Sequence, residues 1–297
     1  MGVRYAYLML KALRSIGAGH AGVLFLILGL LIIVVVYFMQ TPLSNRNWIE
    51  EQAQTATTET APDGTVTIKN VRDWTYSTTS PTSKDWRTVV LHPEDIQSVW
   101  FLIEPFSALK AIGHTFLSFQ FKDGSAISFS IEARREVGES YSAWRGLIPS
   151  YELSYQWGVE RDFVTRRLLY LQHPLRLYKL SLTSVQARSL FNSLLIETDL
   201  LANQPRFYNT LTANCTNMLA NIVNKHYPHT LPYDISWNLT GLSDVYLMRE
   251  HFITMKNAST TETIMQGDLT PHLGEVETFS TATSSIFSSR LRALVGQ

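Results

Sequence analysis

His114-Thr115-Phe116-Leu117-Ser118-Phe119-Gln120-Phe121, then Lys122-Asp123-Gly124-Ser125, then Ala126-Ile127-Ser128-Phe129-Ser130-Ile131-Glu132-Ala133-Arg134, reads as two alternating strands around a glycine-bearing turn. The register of this hairpin decides which residues face the core. A two-residue Asp123-Gly124 loop sets even positions opposite odd ones and mixes Leu117, Phe119 and Phe121 with Ser128, Ser130 and Glu132. A three-residue loop with a bulge pairs even with even. Leu117, Phe119, Phe121, Ile127, Phe129 and Ile131 then share a buried face, and His114, Ser118, Gln120, Ser128, Ser130, Glu132 and Arg134 share the other. The expected register puts His114 opposite Arg134 and diagonal to Glu132, about 7 to 8 Å apart by backbone and within side-chain reach. One polar face thus carries an imidazole and a carboxylate, with Arg134 beside them as a candidate for substrate contact.

An imidazole and a carboxylate become chemistry when a nucleophile joins them, and the sequence of 297 residues holds a single cysteine. Cys215 lies in Tyr208-Asn209-Thr210-Leu211-Thr212-Ala213-Asn214-Cys215-Thr216-Asn217-Met218-Leu219-Ala220-Asn221. Thr212 and Asn214 are both good helix N-caps, and Met218, Leu219, Ile222 and Val223 recur at helical spacing. Cys215 therefore falls in the first turn, where the helix dipole and unpaired N–H groups favour a thiolate. The plain alternative is a small buried hydrophobe. A thiol nucleophile needs a base, and the base needs a group that fixes its tautomer. Cys215, His114 and Glu132 are the candidates for those three roles. Against them, His114 can be a hydrogen-bonded strand-end residue, and Glu132 can simply pair with Arg134 or Arg135.

Outward from these segments, strands are expected near 65–71, 88–91, 98–104, 151–157 and 175–182. Thr183-Ser184-Val185-Gln186 is a capping-box pattern, followed by an amphipathic helix through Ala187, Leu190, Phe191, Leu194, Leu195 and Leu201 to near Asn203. Residues 236–251 resume apolar periodicity as a closing helix. The mixture is α+β, with a domain over 64–255. From Lys256 onward Ser, Thr and Glu dominate without period, so 256–297 reads as a flexible tail with a short helix at 284–294. His226 and His229 could join Cys215 around a metal, but Pro228 breaks the helix that would align them and no fourth ligand is evident. No cofactor is expected. Phosphate-cradling glycine loops and the Gly-x-Ser-x-Gly elbow do not occur in the sequence.

Lys plus Arg equals Asp plus Glu at 25 each, and no basic run interleaves with aromatics, so nucleic acid is not an expected partner. Ala21 to Met39 is a nearly unbroken apolar run of 19 residues, long enough to cross about 30 Å of hydrocarbon as a helix. It ends in bulky residues without a small-residue cleavage site, which favours an uncleaved anchor. Arg4, Lys11 and Arg14 precede the run, so residues 1–20 are expected in the cytoplasm and the rest beyond the membrane. In a bacterium that is a single-pass inner-membrane protein with a periplasmic C-terminal domain, joined by a polar tether at 40–63. A lone thiol kept in that oxidising compartment is a second argument for a reactive role.

The segments Asn70-Val71-Arg72-Asp73-Trp74-Thr75-Tyr76, His114-Thr115-Phe116-Leu117-Ser118-Phe119, Ser130-Ile131-Glu132-Ala133-Arg134, Glu160-Arg161-Asp162 and Tyr208 to Thr216 resemble the periplasmic domain at the amino end of Lnb-type bacterial lipoprotein N-acyltransferases. The resemblance runs from about Asn45 to about Leu247. It implies a circularly permuted papain-like fold, an antiparallel sheet packed on helices, in which the strand histidine precedes the helix cysteine. It further implies Cys215 as nucleophile and His114 as its base. Tyr208, Asn209 and Asn214 match the cysteine motif and are implied as lining the oxyanion site. Glu132 as orienter comes from the hairpin register alone. Members named for lipoprotein acylation carry further spans after the domain, whereas this sequence reads as one span before it. The resemblance therefore speaks for thiol acyl chemistry, by transfer or hydrolysis, on membrane lipid or lipoprotein, with a membrane protein as a further candidate partner. A cysteine peptidase or amidase acting on peptide or cell wall, and a non-catalytic envelope module, are the alternatives.

Overall fold

The alternation seen in the hairpin recurs between residues 57 and 179, and in the computed structural model these strands join in one eight-stranded sheet. The structure describes residues 20, 22–37, 39–106, 109–227 and 229–296. The chain divides into two units, residues 1–42 and 43–297. In the first, residues 22–37 are helical. Ala21 and Phe38, within the expected span, and residues 1–19, most of the expected cytoplasmic terminus, lie outside the described residues. Among the described residues, no helix is long and apolar enough to cross a membrane.

The second unit is mixed α+β. Strands β1 (Thr57–Thr60), β2 (Val66–Tyr76), β3 (Pro81–Leu91), β4 (Ile96–Glu104), β5 (His114–Phe121), β6 (Ala126–Arg134), β7 (Glu152–Val159) and β8 (Arg176–Lys179) run in the order β1-β2-β7-β6-β5-β4-β8, with β3 also on β2. Every pairing is antiparallel except β2 with β7, which meet in parallel at Arg72 and Gly158. A side chain at Gly158 would strike the Phe163 ring at 2.5 Å and the Arg72 carbonyl at 3.0 Å, so this crossing needs glycine.

In the β5–β6 hairpin Gln120 pairs with Ala126 and Phe116 with Ser130. The loop has three residues, and Gly124 takes the left-handed conformation at φ +82°, as the bulged turn requires. Loop length and parity follow the expectation, but the register is shifted by two. The turn closes between Phe121 and Ser125, so the ladder carried to the strand end sets His114 across from Glu132, not Arg134.

The odd-numbered hairpin side chains enter one core against helices α2 (Ser184–Asn203) and α3 (Cys215–His226). The even-numbered face is also covered. There Phe116 packs with Trp100, Leu102 and Phe163, the last from α1 (Glu160–Thr165), and with Phe279, Phe287 and Leu291 from the chain end. The expected flexible tail at 256–297 is thus corrected for 256–296. Helices α5 (Thr260–Gly267), α6 (Leu273–Thr278) and α7 (Ser284–Leu294) follow α4 (Ser243–Arg249). Phe287 and Leu291, one turn apart on α7, are fully buried, and α7 is the short helix expected at 284–294. Polar groups on the even face find partners: the buried Glu160 carboxylate accepts from Ser118 at 2.6 Å, Ser288 at 2.6 Å and Arg292 at 2.7 Å.

The expected tether at 40–63 is likewise corrected. From residue 43 it belongs to the folded unit, Trp48 is buried, and β1 extends the sheet. The closing helix at 236–251 is shorter than expected: two 3-10 turns, at Ile235–Trp237 and Thr240–Leu242, precede α4.

Candidate active site

Asn214 rather than Thr212 caps α3. Its side chain accepts from the N–H groups of Thr216 and Asn217, each at 2.9 Å, and Asn217 returns the contact to the Asn214 N–H at 2.8 Å. This capping box makes Cys215 the first helical residue, where its backbone N–H is one that the helix cannot use. The Cys215 side chain is 4% exposed. Thr216 Oγ1 lies 3.9 Å from the sulfur.

His114 opens β5 at the same end of the sheet. Its Nε2 meets Ser130 Oγ at 2.7 Å and Glu132 Oε1 at 3.1 Å, and Ser130 donates to Glu132 at 2.7 Å. That leaves Nδ1 as the nitrogen not engaged by Glu132 or Ser130, and the charges of His114 and Cys215 act on each other. The His114 side chain is 13% exposed and that of Glu132 25%, so the three groups share a poorly solvated site. Burial alone would pull the imidazole down, but the Glu132 and Cys215 charges and their hydrogen bonds outweigh it and hold His114 up at about 10. Burial would push the thiol up; the His114 charge, its hydrogen bond and hydrogen bonding from Thr115 bring it below the usual thiol range. Burial also opposes ionisation of Glu132, yet His114, then Arg167 and Ser130, hold its carboxyl well below the usual range. Each of the three charges thus favours its neighbour's.

The other expected contacts fall elsewhere. Tyr208 is buried, its hydroxyl 3.1 Å from that of Tyr141, and burial followed by the Cys215 charge raises its phenol. Asn209 binds its own loop, accepting from Leu211 and Thr212 at 2.9 and 3.0 Å and donating to the Leu147 carbonyl at 3.2 Å. The Asn214 amide donates to the carbonyls of Thr210 and Trp237, both at 2.9 Å. Both asparagines build the cysteine loop. Arg134 is committed to the chain before β1: its guanidinium donates to the Gln52 and Ala53 carbonyls, each at 2.9 Å, and lies 4.4 Å from the centre of the Trp48 ring. Ser130 and Arg167 occupy the place expected for it. Ser130 was legible as the neighbour of Glu132 on the polar face; Arg167, 35 residues beyond Glu132, carried no sequence signal. Among the described residues, no three His, Cys, Asp or Glu side chains group as metal ligands.

An apolar cavity of about 210 Å³ lies between the sheet, α2, α3 and α4, lined by Phe101, Leu117, Leu190, Leu219, Val223 and Leu247 among others. Its wall includes Thr115 and Thr216, the chain neighbours of His114 and Cys215, whose hydroxyls are 3.0 Å apart. Cys215 and His114 themselves do not line the cavity, which approaches the site through these two threonines, and its lining also includes the exposed Gln186 and Tyr227.

The profile of the Lnb N-terminal periplasmic domain family matches residues 82–240, just over half of the chain. The match contains the hairpin, Glu160-Arg161-Asp162 and Cys215, and leaves Asn70 to Tyr76 outside. No curated protein and no solved structure matches the chain.

Proposed function

This chain belongs to the Lnb N-terminal periplasmic domain family, and from that premise we propose that it is a thiol enzyme of the bacterial envelope that forms an acyl-thioester on Cys215. The observation that carries the reading is the His114–Glu132 pair at 3.1 Å, with Cys215 at the first turn of α3 close enough for the His114 charge to lower its thiol. The thiolate adds to an ester carbonyl, and the Cys215 N–H stabilises the developing oxyanion. The imidazolium gives its proton to the departing alkoxide, leaving the acyl group on sulfur and His114 neutral. Glu132 keeps Nε2 protonated, which directs Nδ1 at the sulfur. Water or an amine then takes the acyl group as His114 accepts its proton, so hydrolysis and transfer share the first half-reaction.

The order of a strand histidine before a helix cysteine supports a permuted papain-like arrangement. The cavity favours a lipid or lipoprotein acyl chain over a peptide, since a narrow apolar slot suits a methylene chain and offers few partners for amides. The apolar run at 21–39 and the cations before it support a single-pass anchor in the inner membrane with the domain in the periplasm. A membrane protein partner fits the same placement.

Burial of Cys215 favours one other reading, a non-catalytic envelope module with an inert thiol. Incubation with phospholipid vesicles followed by intact-mass spectrometry separates the two. The enzyme reading requires an acyl-sized mass increase that is lost in Cys215→Ser. A folded chain that acquires no adduct and resists thiol alkylation near neutral pH overturns it.

A further inference from the structure

His114 lies between two carboxylates, not one. In the ladder of β4 and β5 its direct partner is Glu104, and the ladder of β5 and β6 carried to its end sets Glu132 on the other side. Side chains directly opposite on antiparallel strands are about 5 Å apart at Cβ, so both carboxylates are placed to compete for one imidazolium. Only Glu132 pairs with Nε2. The difference lies with Arg167, which is 2% exposed. Its Nη2 reaches Glu132 at 3.3 Å, its Nε holds Glu104 Oε2 at 2.8 Å, and its Nη1 donates to the Phe163 carbonyl at 3.0 Å. The other Glu104 oxygen is taken by His173 Nδ1 at 2.5 Å. The guanidinium also lies 4.3 Å from the centre of the Phe116 ring, and the His114 ring is 6.2 Å from that same ring, at 23° to it.

Arg167 is carried by a π-helical turn, Arg166–Tyr170, directly after α1. Such wide turns are rare and recur at functional sites, because the extra residue per turn re-aims a side chain. A guanidinium can satisfy two carboxylates with separate N–H groups in fixed directions, which a lysine ammonium cannot do with the same geometry. We propose that Arg167 is a positioning residue: it fixes Glu132 on Nε2 of His114 and, together with His173, holds Glu104 away from that imidazole. The inference rests on the Cys215–His114 reading and adds to it the device that selects one of two flanking acids.

The test is the pH dependence of iodoacetamide alkylation of Cys215 in the full chain, with folding followed by circular dichroism. In the wild type the rate should keep an alkaline limb near 10, where His114 loses its proton. In Arg167→Gln, Glu132 is released, and the limb should fall by about one pH unit or more, equivalent to a tenfold loss of imidazolium at a given alkaline pH. Arg167→Lys keeps the charge without the fork and should restore only part of the shift. Because Arg167→Gln takes from the buried Glu104 the guanidinium that holds it at 2.8 Å, the double variant Glu104→Gln, Arg167→Gln removes that imbalance and should show the same fall. A folded variant whose limb stays at the wild-type position, or moves up as removal of a nearby positive charge alone would cause, overturns the positioning role. A wild type without any limb overturns the Cys215–His114 reading, and this inference with it.

Discussion

The thiol of Cys215 and the imidazole of His114 are shifted in opposite directions and against the pull of burial, the imidazole by the Glu132 charge and then that of Cys215, the thiol by the His114 charge. His114 is held above its ordinary range, so the imidazolium persists until pH rises through about 10; Cys215 is held below its range, so the thiolate persists until pH falls through that lowered value. Acyl transfer or hydrolysis should therefore follow a bell whose alkaline limb lies near 10, falling on the acid side as the thiolate protonates and on the alkaline side as the general acid is lost. Cys215→Ser should remove activity and leave the thermal transition close to wild type, because a buried thiol and hydroxyl differ little in volume. Glu132→Gln should lower kcat by about a hundredfold to ten-thousandfold with KM little changed, the range set by loss of acid–base assistance. A KM effect without a kcat effect would place Glu132 in binding instead.

Helix α3 places the sulfur, and its start depends on one side chain. Asn214→Ala should destabilise the domain by about 1–2 kcal/mol, since it removes a cap bonded to two N–H groups and two contacts to the Thr210 and Trp237 carbonyls. Chemical denaturation measures this directly, and a change within experimental error would show that the cap is dispensable. This element was legible in the sequence: an asparagine before an apolar-periodic run predicts a cap, and a cysteine immediately after it falls in the first turn. The hairpin was legible in its faces and loop size, because alternation fixes parity. Its register was not, because the sequence permits the three-residue turn to close one position earlier or later, and only the Phe121–Ser125 closure sets His114 across from Glu132. The pairing of Arg167 with Glu104 and Glu132 was beyond reach for a different reason, since long-range ion pairs leave no periodic trace.

Across the whole molecule, the sequence motifs act mostly as struts. Arg72 forks onto Asp162 at 2.7 Å, and Asp73 takes Arg161 at 2.5 Å, so adjacent residues on β2 cross over to adjacent pairs around α1. The chain end completes the second layer, where Glu160 is fully buried and its charge is met by Arg292. Arg292→Ala leaves that carboxylate unpaired and should cost about 3–5 kcal/mol, seen as a large drop in Tm, whereas a freely mobile tail would register no change. Composition misled at 256–296 because serine and threonine outnumber the few apolar residues that make the contact. On the proposed function, what matters of the fold is that it brings residue 114 close to residue 215, and that juxtaposition is most directly tested by the pH profile of Cys215 alkylation in wild type and His114→Asn. In the wild type the rate should be enhanced below the ordinary thiol range and end in a limb near 10, and in the variant it should show a single rise near the free-thiol value of about 8.5. A wild-type profile with that same single rise, unaffected by the loss of His114, would contradict that juxtaposition.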